Sequence, residues 1–285
     1  MKILNVVVCS VLLFSNIILF AQKEYTTDYE IQYELNYSLD SLSLDAKIVE
    51  VFYLYSGSEH GVFMNYNTAH KEEIQSYNEK LMQSNTGIVS EKNVSRHTNY
   101  KKTIFKYREA NQVKVEAQML DNIYIYDEPA VPLDWKITEE TKEYFDYTVQ
   151  KATTSFAGRD YEAWFTIEIP INDGPYVFYG LPGLIVELYD TKKHYHFGLL
   201  SMNKLSNPKT WQIFDNVKNL TRKEFKEIEP VGIENLALTE NLAEISISNG
   251  VAVLVTKDGI EMSQAEFERM LRRYVRNKNN WIEKE

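Results

Sequence analysis

Hydrophobic and polar residues alternate along most of the chain up to Asn203, and the alternation is strictest at its start. Tyr29, Ile31, Tyr33, Leu35, Tyr37 and Leu39 fall on one side, and Glu30, Gln32, Glu34, Asn36 and Ser38 on the other. A period of two is that of a strand with one buried and one wet face. The same pattern predicts strands over 49–55 and 61–66 about the loop Ser56–His60, and over 103–107, 112–119 and 123–126 as a meander. Lys71 to Met82 is polar with sparse apolar residues and reads as a short surface helix. Pro129 and Pro132 break the sheet, and Thr138 to Lys142 reads as a turn or a single helical turn. Strands over 147–156 and 161–169 form a hairpin about Ala157–Asp160. In its second arm Tyr161, Ala163, Phe165, Ile167 and Ile169 share a face.

Asp173-Gly174-Pro175 then turns the chain into GPYVFYGLPGLIVELYD, residues 174–190. Pro182 and Gly183 suit the central positions of a type II turn, with Gly183 supplying φ > 0. Leu184 to Tyr189 is a short apolar run that predicts a buried strand, with Tyr195 to Asn203 as its partner. The last quarter changes character. Thr221-Arg222-Lys223-Glu224 and Ser263-Gln264-Ala265-Glu266 are capping-box patterns that open two helices, the second carrying Phe267, Met270, Leu271, Tyr274 and Val275 on one face. Between them, two β-rich runs flank Asn249-Gly250, a hairpin-turn signal. The expected fold is mainly β: a large curved antiparallel sheet or half-barrel, a short helix near 71–82, and C-terminal helices.

The N-terminus alters the domain picture. Lys2 precedes an apolar segment from Ile3 to Phe20, with the small Ala21 before Gln22, which predicts a cleaved secretory signal peptide over residues 1–21. The segment approaches the length of a membrane span, but no cationic stop-transfer cluster follows it. Cys9 lies inside the segment and cannot begin a mature lipoprotein. Residues 22–205 are then a β-rich domain, and 206–285 a helix–hairpin–helix extension expected to pack on it.

Composition narrows the chemistry. Cleavage removes one of 31 basic residues, none of 41 acidic ones and the single cysteine, leaving a net charge of −11. That excludes disulfides, zinc thiolates and a cysteine nucleophile in the mature chain, and argues against nucleic acid as a partner. Twenty tyrosines suit half-buried strands. There is no phosphate loop, no dinucleotide fingerprint, no H-E-x-x-H and no G-x-S-x-G, so no catalytic residue and no cofactor is assigned.

The order of motifs resembles the GLPGLI (Porph_ging) family of exported proteins in Gram-negative bacteria. The resemblance rests on Gly180-Leu181-Pro182-Gly183-Leu184-Ile185, with Gly174-Pro175 and Phe178 before them. Ahead of these stand Ile167–Ile171, Ala163–Thr166, Gly158-Arg159, Gln150–Thr153 and Trp135. The chain departs from the family where Asp146-Tyr147-Thr148-Val149 replaces a Gly-Tyr-Cys step and Tyr176-Val177-Phe178 replaces Trp-Lys-Phe. The resemblance implies an exported β-rich envelope protein, periplasmic or at the cell surface, of unassigned activity, with no permanent membrane span after cleavage.

Three kinds of site follow from the residues. Arg159, Asp160, Trp164, Glu168 and Phe178 are candidates for binding a hydrophobic or peptide ligand or an outer-membrane or other envelope partner; the bland reading is a surface ion pair beside ordinary core aromatics. His194 and His196, at i and i+2, would share a strand face and could hold a metal with a third ligand from His60, His70, His97, Glu187 or Asp190, as in a metal-dependent hydrolase; the bland reading is two surface histidines at a turn. Glu162 and Glu168 are too far apart along a strand, about 20 Å, for a glycosidase pair. A third reading is a structural or assembly factor that offers a sheet edge to a partner strand.

Overall fold

The computed structural model describes residues 25–38, 47–83, 96, 98, 100–119, 122–129, 131–211, 217–229, 242–248, 251–256, 260–263, 265–266 and 269. The expected signal peptide, His97 and the apolar face of the second C-terminal helix lie outside them.

Twelve strands form one mostly antiparallel sheet that does not close into a barrel. In chain order they are β1 (Tyr25–Ser38), β2 (Lys47–Ser56), β3 (His60–Asn65), β4 (Lys102–Tyr107), β5 (Gln112–Met119), β6 (Asn122–Asp127), β7 (Lys136–Tyr144), β8 (Tyr147–Phe156), β9 (Arg159–Thr166), β10 (Leu184–Asp190), β11 (Tyr195–Trp211) and β12 (Lys218–Asn219). Their spatial order is β12-β6-β5-β4-β3-β2-β1-β11-β10-β9-β8-β7. The most strictly alternating stretch of sequence becomes the central strand: β1 pairs with β2 on one side and β11 on the other. Its Ile31, Tyr33, Leu35 and Tyr37 are buried.

The buried faces of β1–β5 and β8–β11 share one core. The rings of Phe63 on β3 and Phe197 on β11 lie 6.1 Å apart, although three strand steps separate them. A flat sheet would space those backbones by about 14 Å, so side chains converge on this face. The other face of β2–β4 holds a smaller core of Tyr53, Tyr55, Val62, Met64, Phe105 and Tyr107. It is covered by α1 (Tyr66–Ala69) and α2 (Lys71–Gln83), whose Tyr66 and Ile74 join it. A short helix α3, residues 222–229, sets Phe225 on the Tyr126 ring of β6 at 4.8 Å. The predicted capping box forms there, with Thr221 N–H on Glu224 at 2.7 Å and Glu224 N–H on the Thr221 hydroxyl at 3.2 Å. The predicted hairpin is β13 (Leu242–Ser248) with β14 (Val251–Thr256), and β15 (Glu261–Ser263) adds a third strand.

Three expectations are corrected. Thr138 to Lys142 is not a turn but part of β7, the last strand of the sheet. Exposure on both faces hides its periodicity, and the register breaks between Ile137 and Thr141. The second hairpin arm ends at Thr166, not Ile169, and Ile167 is 67% exposed instead of facing the core. In the GLPG turn it is Gly180, not Gly183, that takes the left-handed conformation, with φ of +102°. Gly183 answers a different need: a Cβ there would lie 2.0 Å from the Thr166 carbonyl oxygen. The segment passes too close to the end of β9 for any side chain.

Candidate functional site

Residues 167–183 leave the sheet and return over its buried face as an apolar plug. Tyr176, Val177, Phe178 and Leu181 are all buried, with the Phe178 ring 4.6 Å from Tyr161 and 5.6 Å from Phe156. The plug's backbone is tied by its own neighbours. Ile185 N–H donates to Asp173 O at 3.0 Å, Leu184 N–H to Ile169 O at 3.1 Å, and Trp135 Nε1 to Tyr179 O at 2.7 Å.

Its anchor is Asp173, wholly buried. Lys106 Nζ lies 2.5 Å from Oδ1; Arg108 and the Ser56 hydroxyl donate to Oδ2 at 2.5 and 2.8 Å. Gly174 N–H donates to Oδ1 at 2.9 Å. Gly61 is bare for the same reason, since a Cβ there would meet Oδ2 at 2.2 Å. Lys106 also donates to Gly174 O at 2.5 Å, and Arg108 to Gly57 O. Burial alone would raise the Asp173 pKa, but Lys106 and Arg108 outweigh it and hold the carboxyl below its usual range. Burial and the Arg108 charge lower the Lys106 pKa against the pull of Asp173. Sequence reasoning missed this hub. The available signal was Lys106 itself, a charge two residues from Ile104 on the face that the alternation buries.

The match to known proteins falls on the plug and the strands around it. Residues 157–187 match the Porph_ging family, a protein of unknown function. The Porph_ging segment therefore spans β9, the plug and the start of β10. The chain is also similar to structures of PNGF-II in the C2 and P21 space groups, at 17% and 16% identity and TM-scores of 0.48 and 0.47. Each comparison covers 82% of this chain and 39% of the other. No curated protein matches the chain.

The five candidate ligand residues do not converge. Arg159, at the head of the Porph_ging segment, is buried against Asp190 at 3.0 Å and His194 Nδ1 at 3.2 Å, over the Tyr195 ring. Asp160 is exposed and accepts from the Ser155 hydroxyl at 2.6 Å. Phe178 is plug core. Trp164 is 4% exposed, beneath Lys142 Nζ at 4.2 Å and Lys151 Nζ at 5.8 Å. Glu168 lies beyond the end of β9, where it accepts from Thr148 N–H at 2.9 Å.

The two histidines separate as well. His194 precedes β11, and its Nδ1 accepts from Arg159, because a guanidinium only donates. His196 is half-exposed on the outer face and sits 2.9 Å from Glu187, which Lys142 contacts at 2.5 Å. Burial opposes ionisation of Glu187, yet His196 and Lys142 together hold its pKa below the usual value. His70 Nδ1 lies 3.1 Å from Tyr66 O, and His60 Nδ1 is 3.9 Å from its neighbour Glu59. Among the described residues no three His, Cys, Asp or Glu side chains group as metal ligands. His194 and His196 thus have separate partners, Arg159 and Glu187.

The Lys142–Glu187 contact has a further consequence. β7 and β10 are three strand steps apart, so the tip of the β7–β8 hairpin folds over the outer face of the sheet. Tyr144 follows Lys142 there: a Cβ on Gly198 would lie 3.1 Å from its hydroxyl. Leu199 is where β11 loses a neighbour. β10 pairs with β11 only across Glu187–Tyr189 and His196–Gly198, while β11 runs on to Trp211 against β1. On the side away from β1, no strand among the described residues pairs with β11 beyond Gly198. The Tyr144 hydroxyl stands over Gly198, at the step itself.

Proposed function

We propose that this is an exported, non-enzymatic binding protein that takes an extended peptide segment of an envelope partner as an added strand beside β11. The observation that carries the reading is the step in the sheet: β11 continues past Gly198 with its outer edge unpaired among the described residues. An unpaired edge is a template for strand addition, in which main-chain hydrogen bonds supply affinity and side chains supply selectivity. The other edges are less suited. β7 carries Lys136, Glu139, Glu140, Lys142 and Glu143 and is bulged, both of which blunt an edge. β12 is two residues long. Along β11 the run Leu200-Ser201-Met202-Asn203 carries no charge.

A non-enzymatic role is supported by how the buried ionisable groups of the Porph_ging segment are spent on ion pairs, Asp173 with Lys106 and Arg108 and Arg159 with Asp190. Export is supported by the N-terminal leader pattern; among the described residues no helix is long and apolar enough to cross a membrane. The interior offers less to a ligand, because Trp164, Phe178 and Leu184 are buried by the chain's own plug and hairpin.

Site-specific photo-cross-linking in the native envelope tests the reading. A photoreactive residue at Asn203, which is exposed on β11, is expected to give a discrete protein adduct, and one at Glu139 on β7 to give none. No adduct at position 203, or equal adducts at both, would count against strand addition at β11.

A further inference from the structure

The surface around the step carries its own chemistry. Among the described residues the exposed large hydrophobics include Phe145 at 70%, Ile167 at 67% and Leu200 at 47%. The topology brings these three to one end of β7–β11. Phe145 packs edge-on against Tyr144 at 4.8 Å, and the Tyr144 hydroxyl lies over Gly198, two residues before Leu200 on β11. Leu200 is the extra residue of the β1–β11 bulge, since Tyr33 faces Leu199 and Gln32 faces Ser201. Ile167 follows the last residue of β9, beside Glu168, which bonds Thr148 next to the hairpin tip.

This apolar end is edged by carboxylates. Glu143, Asp146 and Glu168 are exposed. Two of them converge on one residue: Glu143 accepts from the Thr148 hydroxyl at 3.2 Å and Glu168 from the Thr148 N–H at 2.9 Å. Lys142, the cation nearest the hairpin tip, is taken by Glu187, and Lys151 on β8 by Glu140 and Glu162. Apolar surface rimmed with negative charge repels anionic lipid and a second copy of this acidic chain, and it complements a cationic segment.

We infer that the strand added beside β11 is a basic, apolar segment of a protein partner. Its apolar side chains lie on Phe145, Ile167 and Leu200, and its Lys or Arg side chains meet Glu143 and Glu168. The inference rests on strand addition at β11 and specifies what is added there.

The test uses the chain without its leader and two labelled peptides of about ten residues, one alternating Val with Lys and the other Val with Glu. Fluorescence anisotropy is expected to show the Val-Lys peptide binding at least about tenfold tighter, with an advantage that shrinks as salt rises. The Glu143→Gln, Glu168→Gln double variant changes only exposed side chains; it is expected to abolish the salt dependence and leave residual binding. Phe145→Ser with Ile167→Ser is expected to weaken both peptides. Equal binding of the two peptides, a preference for Val-Glu, binding of neither, or tighter binding to anionic phosphatidylglycerol vesicles than to Val-Lys would each overturn the inference. If the Asn203 adduct persists under any of those results, strand addition stands and only the partner's chemistry is wrong; if the adduct is absent too, both readings fall.

Discussion

Replacing Asp173 with alanine is expected to cost about 3–5 kcal/mol of folding stability, because it strands buried cations that no other described carboxylate reaches. Lys106 and Arg108 both meet Asp173 at 2.5 Å, and the Lys106 side chain is fully buried. Lys106→Met is expected to cost less, since it removes a buried charge and leaves Asp173 paired with Arg108 and Ser56. Urea unfolding monitored by tryptophan fluorescence checks both; a loss for Lys106→Met equal to that for Asp173→Ala would deny Asp173 its role as the hub. The pH dependence has a definite sign. The folded state holds the Asp173 pKa below its unfolded value, so the unfolded chain takes up that proton first as pH falls. Its contribution is complete above about pH 4 and drains away below that, as pH falls through the folded-state pKa. The Asp173→Ala variant is expected to have lost this component of acid sensitivity.

Gly183→Ala is expected to destabilise the protein by about 3 kcal/mol or more, against about 1 kcal/mol for Gly180→Ala. The two glycines of the same turn serve different ends. At Gly183 a methyl group would meet Thr166 backbone atoms at 2.0 and 2.6 Å, and neither strand β9 nor the plug can yield without breaking its pairing. At Gly180 the nearest atoms are those of Trp135, at 3.6 Å, so only the cost of φ at +102° remains. Denaturation midpoints of the two variants give the order directly, and the reverse order would mean that backbone conformation, not close approach, governs the turn.

The strict alternation from Tyr29 to Tyr37 made the central strand legible, because one of its faces is fully buried and the other wet. β7 was not legible, because an edge strand exposed on both sides carries no two-residue period, and its bulge removes what remains. The plug's end was readable from Gly180–Gly183 and its internal turn from Gly174-Pro175, but its start was not, because the alternation runs on through Ile167 to Ile169 after β9 has ended at Thr166. Nor was its anchoring: Lys106, Arg108 and Ser56 lie 65 to 117 residues from Asp173 in sequence, and no local pattern encodes that β2, β3 and β4 stand side by side. The same applies to the histidines. Spacing puts His194 and His196 on one face of an ideal strand, but β11 begins at Tyr195, and Arg159 from β9 claims the first ring. Among the described residues the step on β11 arises because only Glu187–Tyr189 of β10 pair with it, while β10 shifts register against β9 between Ile185 and Glu187, a mismatch visible only once the strands are paired.

Strand addition requires that β11 past Gly198 be an edge open to a partner strand. Hydrogen exchange of the backbone amides over Leu200–Lys204, resolved by mass spectrometry with and without the Val-Lys peptide, tests it most directly. The edge-facing amides are expected to exchange quickly in the free protein and to become protected when the peptide is added, while those of Leu184–Leu188 stay protected throughout. Full protection of Leu200–Lys204 in the free protein would show that the chain covers this edge itself, and would contradict the account.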